Sequence, residues 1–249
     1  MFRPNKNIKV LKHQDENCTD SFNIMCWNVA KLTLKKSYKE YLNSIIKDEK
    51  IDILLLQEVK KQLVKELYIY DFSYIFSPNI QTRRHMFGVL SAFKISCENE
   101  LSLLTTNREL FYATHKVSLI TKHKVSHDKV LLIVNLHAVN FVTSSSFKKE
   151  LQDILLNVKT HKGAMIVAGD FNTWNLKRIK ALQEFTDGLG LKEVVFDKTS
   201  KNLKNFLSHS LDYVFYRGLE LTKSKVIDSK KISDHNPIIA SFKLTKISP

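Results

Sequence analysis

Apolar positions fall in two rhythms along this chain. Short, largely apolar runs at 22–27, 51–56, 86–93, 130–136 and 164–168 read as buried strands, because a strand covered on both faces loses its polar alternation. Weaker runs at 72–76, 191–196, 211–216, 219–227 and 237–244 are further strands, and 101–138 is strand-rich throughout. A helical rhythm interrupts them. Over 37–49 it brings Tyr38, Tyr41, Leu42, Ile45 and Ile46 onto one face behind Ser37 as N-cap, and over 144–159 it aligns Phe147, Leu151, Ile154, Leu155 and Val158. Short helices are predicted at 60–68 and 176–185. A helix between the buried strands 22–27 and 51–56 makes a βαβ-type unit, which puts both strands in one sheet. Strands and helices mix with no internal boundary or repeat. The expectation is a loosely ordered polar tail over 1–20, then a single α/β domain over 21–249 built as a layered sandwich of sheets and helices.

Composition adds a charge to this picture. The 249 residues hold 39 Lys and Arg against 25 Asp and Glu, a net charge of +14, with a pI near 9.5. A field of that sign favours polyanionic partners: nucleic acid, anionic lipid headgroups or inositol phosphates. The lysines are spread along the chain, so a general compositional bias accounts for them as well. Cys18, Cys26 and Cys97 are odd in number and widely spaced, which suits reduced thiols in a cytoplasmic protein rather than a disulfide framework or metal site. No apolar core of a signal peptide and no run of about 18 apolar residues is present.

The chemistry lies where apolar runs end. Asn28, Glu58, His137 with Asn140, Asp170 with Asn172, and Asp234 with His235 all close such runs, and Asp212 sits inside one. Asp170 and Asn172 point to one face if the backbone stays extended; an Asx turn after a strand is the alternative. Asp212 alone fits a paired structural acid, and Asp234 to Pro237 alone fits a turn. Together these residues form a hard oxygen-donor set with two imidazoles. That set suits Mg²⁺, which prefers carboxylates and retained water, and lacks the Cys/His spacing of structural zinc.

The motifs Trp27-Asn28, Gln57-Glu58, Asn135-Leu136-His137, Gly169-Asp170-Phe171-Asn172, Leu211-Asp212-Tyr213 and Ser233-Asp234-His235 occur in the order found in the endonuclease/exonuclease/phosphatase superfamily. The chain resembles that superfamily, whose members look like pancreatic deoxyribonuclease, and the strings around 135–141, 211–219 and 233–237 are most similar to the bacterial YafD-like group. The resemblance implies a four-layered α/β sandwich, two mixed sheets face to face with helices outside, and metal-assisted phosphoester hydrolysis. It implies Glu58 as principal Mg²⁺ ligand, Mn²⁺ being an equivalent, with Asn28 and Asp234 helping to hold the ion. It implies Asp170 as the residue that positions or deprotonates water, Asn172 as a donor to the scissile phosphate, and Asp212 as the acid that orients His235. His137 matches a second catalytic histidine, for which the sequence offers no acidic partner. Asn140, Arg84 and Trp174 are candidate substrate contacts; a turn cap, a solvated loop and core packing are their respective alternatives. The expected activity is a Mg²⁺-dependent nuclease on DNA or RNA, acting as a monomer. A phosphatase or phosphodiesterase on phosphoinositide or other small phosphoesters is the alternative, and a non-catalytic polyanion-binding protein the third reading.

Overall fold

In the computed structural model, residues 4, 6–13, 19–67, 69–105, 115–126, 129–140, 142–196, 205, 206 and 209–245 are described. The strands are β1 (Ile8–Val10), β2 (Ser21–Asn28), β3 (Ile53–Gln62), β4 (Ser73–Gln81), β5 (His85–Phe93), β6 (Cys97–Leu104), β7 (Val117–Ser126), β8 (Lys129–His137), β9 (Met165–Asp170), β10 (Lys192–Glu193), β11 (Asn205–Phe206), β12 (His209–Ser210), β13 (Asp212–Arg217), β14 (Leu219–Val226) and β15 (Ile238–Leu244). The helices are α1 (Lys36–Asp48), α2 (Ser144–Val158) and α3 (Leu176–Leu189). Seven strands form one sheet in the order β1-β4-β5-β3-β2-β15-β14, and six form another in the order β10-β13-β9-β8-β7-β6. Each sheet is mixed, with one parallel pair: β2 with β3, and β8 with β9.

Three apolar layers join these pieces. Ile24, Cys26, Ile53 and Leu55 from the first sheet meet Leu131, Ile133, Ile166 and Ala168 from the second in the central core. The opposite parity of the first sheet, Met25, Trp27, Leu54 and Leu56, packs under Tyr38, Leu42, Ile45 and Ile46 of α1. The opposite parity of the second, Leu132, Val134, Met165 and Val167, packs under α2 and α3. The result is helix, sheet, sheet, helices, the four-layered α/β sandwich that the motifs imply. Among the described residues, no helix is long and apolar enough to cross a membrane.

Several local expectations are corrected. The helix expected over 60–68 is instead the end of β3, where Lys60, Lys61 and Gln62 pair with Phe87, Met86 and His85. A neighbouring strand supplies these backbone groups with partners, which outweighs weak helical spacing. The Lys61 ammonium then holds the following bend by donating to the carbonyls of Gln62 and Lys65. Tyr68 and residues 106–114 and 127–128 of the strand-rich stretch lie outside the described residues. Ser37 is not the cap of α1: the N-cap is Lys35, and no side chain bonds there. The third helix runs four residues past its expected end to Leu189, where Gly190, at φ 63°, closes it in the left-handed conformation. Within the polar tail, Ile8–Val10 pairs with Phe76, Ile75 and Tyr74 as an edge strand.

One buried titratable group lies apart from the polar strand ends. His123 on β7 is fully buried, its Nδ1 3.1 Å from the Ser96 carbonyl, its Nε2 2.8 Å from Thr121 Oγ1, and its ring edge-on to Phe93. A neutral ring satisfies both partners, donating to the carbonyl and accepting from the hydroxyl. Burial lowers its pKa from 6.5 to about 4, partly opposed by the Ser96 bond. The unfolded chain therefore binds a proton near pH 6.5 that the folded chain refuses until about pH 4. Stability is lost as pH falls across that window, by about 3 kcal/mol in full. Urea titrations of His123→Gln are expected to show a shallower loss between pH 6.5 and 4 than wild type; equal slopes would remove His123 as the cause.

Candidate active site

The inward positions of the central strands run out of apolar residues at one end of the sandwich. In β2 the inward row Ile24, Cys26 is followed by Asn28; in β8, Leu131 and Ile133 are followed by Asn135 and His137; in β9, Ile166 and Ala168 are followed by Asp170. In β13, Asp212 precedes the inward Val214. The two-residue alternation that fills the core thus delivers Asn28, His137, Asp170 and Asp212 to its rim. Register sets them side by side: His137 is opposite Asp170, and Asp170 is opposite Asp212. Gly169 permits this row. At φ 151° it brings β9 so close to β8 that a Cβ would run into the Leu136 carbonyl.

Glu58 arrives by a different device. Regular alternation would turn it outward with Leu54 and Leu56, towards α1. A bulge between Leu56 and Val59 and a left-handed backbone, φ 53°, break the alternation. The carboxylate reaches the site instead, with Oε1 3.8 Å from His137 Nε2. A non-glycine residue held there costs roughly 1–3 kcal/mol. Part of the support is visible in the Glu58 carbonyl, which accepts from Lys31 N at 2.9 Å.

The contacts within the site are short. His235 Nδ1 lies 2.7 Å from Asp212 Oδ2, and His235 Nε2 lies 3.7 Å from Asp170 Oδ2. His137 Nε2 is 3.8 Å from the same Asp170 oxygen. Asn28 Nδ2 donates to Asp170 Oδ2 at 3.0 Å, and Asn172 N donates to Asp170 Oδ1 at 3.1 Å. One ligand atom from each of Asp170, Asp212 and His235 falls within 4.8 Å of the others, a spacing able to hold a cation. Glu58 is wetter than the buried acids, its side chain 23% exposed against 4% for Asp170.

Burial sets the electrostatics. It raises the Asp170 pKa to about 6, and the neighbouring Asp212 charge adds to the rise; His235 and the bonds from Asn28 and Asn172 oppose it. His137 is held well below its ordinary value, first by burial and then by the positive charges of Lys116, His235 and Lys31. Lys116 Nζ stands 3.1 Å from His137 Nε2, so this histidine has a cation beside it as well as the carboxylates of Glu58 and Asp170.

The remaining predicted positions are placed as follows. Asn172, also left-handed at φ 51°, gives one side-chain N–H to the Ala138 carbonyl at 3.0 Å. Asp234 is exposed between the buried Ser233 and His235. Trp174 Nε1 donates to Asn140 Oδ1 at 3.0 Å, which ties two candidate substrate residues to each other. Arg84 is exposed on the turn between β4 and β5, its carbonyl accepting from Leu63 N. Sequence reasoning missed Lys31, Lys116 and Arg178. Arg178 is fully buried between the rings of Phe147 and Trp174 and donates to the carbonyls of Val139, Asn172 and Val142. It stitches the loop after β8 to the loop after β9. Its only sequence signal is an arginine in the first turn of a helix, too common to use.

Comparison with known proteins fits this geometry. The Endonuclease/Exonuclease/phosphatase family pattern matches residues 25–235. A UPF0294 protein of Yersinia enterocolitica is 33% identical over 231 residues, covering 90% of this chain and 84% of its own length. An endonuclease/exonuclease/phosphatase family protein from Leptotrichia buccalis superposes with a TM-score of 0.68 at 18% identity, over 90% of this chain and all of that one. The human Nocturnin catalytic domain, solved with a bound sulfate anion, gives a TM-score of 0.66 at 17% identity, over 96% of this chain and 97% of its own. Those structures share the fold, and the extent of the sequence match adds the lineage: this chain belongs to the endonuclease/exonuclease/phosphatase family.

Proposed function

We propose that the protein is a Mg²⁺-dependent phosphodiesterase acting on nucleic acid. The observation that carries this reading is the convergence of His235, braced by Asp212, and the buried Asp170 on one point at the rim, 3.7 Å apart. Glu58, Asn28 and Asp234 are the residues proposed to hold Mg²⁺ or Mn²⁺. They offer oxygen donors, and the principal one, Glu58, keeps contact with water, as a hard and strongly hydrated ion requires. When bound, the ion supplies charge neutralisation to the phosphoryl and leaving oxygens.

The chain's own groups divide the remaining work. Asp170 is the base that aligns water and takes its proton; a carboxyl group raised to about 6 is a stronger base than an ordinary one and still ionised at neutral pH. Asp212 holds the proton on His235 Nδ1, which leaves Nε2 facing the reacting phosphate to donate when charged. Asn172 has a second side-chain N–H beyond the one given to Ala138, available to a phosphoryl oxygen. His137, kept neutral, is a further hydrogen-bonding group on the same row. The net charge of +14 favours a polyanionic chain as substrate.

Purified protein with Mg²⁺ is expected to cleave DNA or RNA, and Glu58→Gln, Asp170→Asn and His235→Ala each to lower the rate by about 10²–10⁴-fold. EDTA is expected to abolish cleavage and Mg²⁺ or Mn²⁺ to restore it. Hydrolysis of phosphoinositide or bis-p-nitrophenyl phosphate alone would transfer the reading to small phosphoesters. Wild-type turnover by all three variants would overturn the site assignment.

Stability gives a second test of Asp170. An acid with a raised folded pKa destabilises the fold as pH rises through its window, here from 3.8 to about 6. Asp170→Asn removes that charge. The variant is expected to unfold about 1–3 kcal/mol harder than wild type at pH 8 and to lose the advantage below pH 4. A destabilised variant at pH 8 would mean that the bonds to Asn28 and Asn172 outweigh the charge.

A further inference from the structure

Beside the catalytic row, the two sheets part to leave a cleft of about 380 Å³. That lies in the roughly 300–1,000 Å³ range of small-ligand sites and is too small for a length of helix. Its lining comes from Asn79 and Ile80 of β4, Thr82 of the following turn, Phe87 of β5, Lys31 from the loop after β2 and Lys116 just before β7, and Glu58 with His137 closes the catalytic end. Lys31 Nζ is 3.3 Å from Glu58 Oε2, and Lys116 Nζ is 3.1 Å from His137 Nε2. Since Glu58 and His137 are themselves 3.8 Å apart, the two ammonium groups flank the entrance to the catalytic row. Phe87 extends the inward row of Val89 and Phe93 past the central core, so its half-buried ring faces the cleft rather than other core side chains. Positive charge beside the reacting centre and a flat apolar surface farther in match the two ends of a nucleotide.

We propose that this cleft seats one nucleoside monophosphate unit at the free end of a nucleic acid strand, with its phosphate between Lys31 and Lys116 and its base on Phe87. The inference rests on the phosphodiesterase reading and sharpens it: a cleft that holds a single unit selects chain ends over internal positions. The cleavage pattern is therefore terminal, and the residues that impose it lie outside the acid–histidine row.

Binding tests the cleft without requiring turnover. In EDTA, titration calorimetry is expected to detect AMP at least tenfold tighter than ribose 5-phosphate or inorganic phosphate. Phe87→Ala should erase the advantage of AMP over ribose 5-phosphate, and Phe87→Tyr should keep it. Lys31→Met should weaken AMP and ribose 5-phosphate alike, by about tenfold. AMP bound no better than inorganic phosphate, or equally by wild type, Phe87→Ala and Lys31→Met, would overturn the proposal. With Mg²⁺, a linear oligonucleotide should shorten from one end while the same sequence circularised persists; equal cutting of the circle would also overturn it. If neither oligonucleotide nor any model ester is hydrolysed, the catalytic reading fails separately and the calorimetry decides the cleft.

Discussion

A buried pair of like charges is the constraint around which this site is organised. Asp170 and Asp212 face each other across β9 and β13, both nearly closed to solvent. Directly opposed like charges destabilise a sheet, and burial makes Asp170 harder to ionise. Nearly every other polar group at the rim answers that cost. His235 bonds one carboxylate and approaches the other, Asn28 and the Asn172 amide donate to Asp170, and Trp27 Nε1 anchors the His235 carbonyl at 2.9 Å. Offset is incomplete, and the residue of it is the raised pKa of Asp170. What stability loses there, reactivity gains, since a weakly solvated carboxylate is the better base.

The answer to that charge depends on holding two sheets in fixed relation. Apolar contact sets their separation but is indifferent to small slides. Gln57 and Asn135 are not indifferent: Gln57 Nε2 donates to Asn135 Oδ1 at 2.7 Å across the core, and Asn135 Nδ2 returns to the Leu90 carbonyl on the first sheet at 2.9 Å. Both are fully buried, where an unmet amide is costly and a directional bond correspondingly restrictive. They lie next to Glu58 and two residues before His137. The polar pair therefore fixes the register of the two sheets at the point where residues from both must meet.

How much of this was legible depends on whether a feature follows the strand period. Asn28, His137, Asp170 and Asp212 continue inward rows, so apolar runs ending in polar residues marked the first three, a carboxylate inside an apolar run marked Asp212, and motif order supplied their grouping. The four layers came with the resemblance; central strands apolar on both faces are compatible with them but do not demand them. Features that break the period were invisible. The bulge at Glu58 looks like ordinary sequence, and the residues after it, lacking a strand signature, read as a helix until β5 claimed their backbone. Lys31, Lys116 and Arg178 were hidden for another reason. In a chain this rich in basic residues, three more carry no signal until the fold shows which of them stand at the site.

The charge of the chain and the charge of its site therefore act at different ranges. At long range the excess of 14 positive charges attracts any polyanion, and salt screens it over about 8 Å under physiological conditions. At the rim the groups alternate: Lys31 with Glu58, Lys116 with His137, His235 with Asp170 and Asp212. The Lys31 ammonium is more exposed than the Glu58 carboxylate it pairs with, 60% against 23%, and the carboxylates of Asp170 and Asp212 behind them are held by hydrogen bonds. This arrangement lets one rim carry cations at its surface and still keep a carboxylate of raised pKa behind them. Neither property follows from net charge; both follow from which residues the end of each strand happens to aim inward.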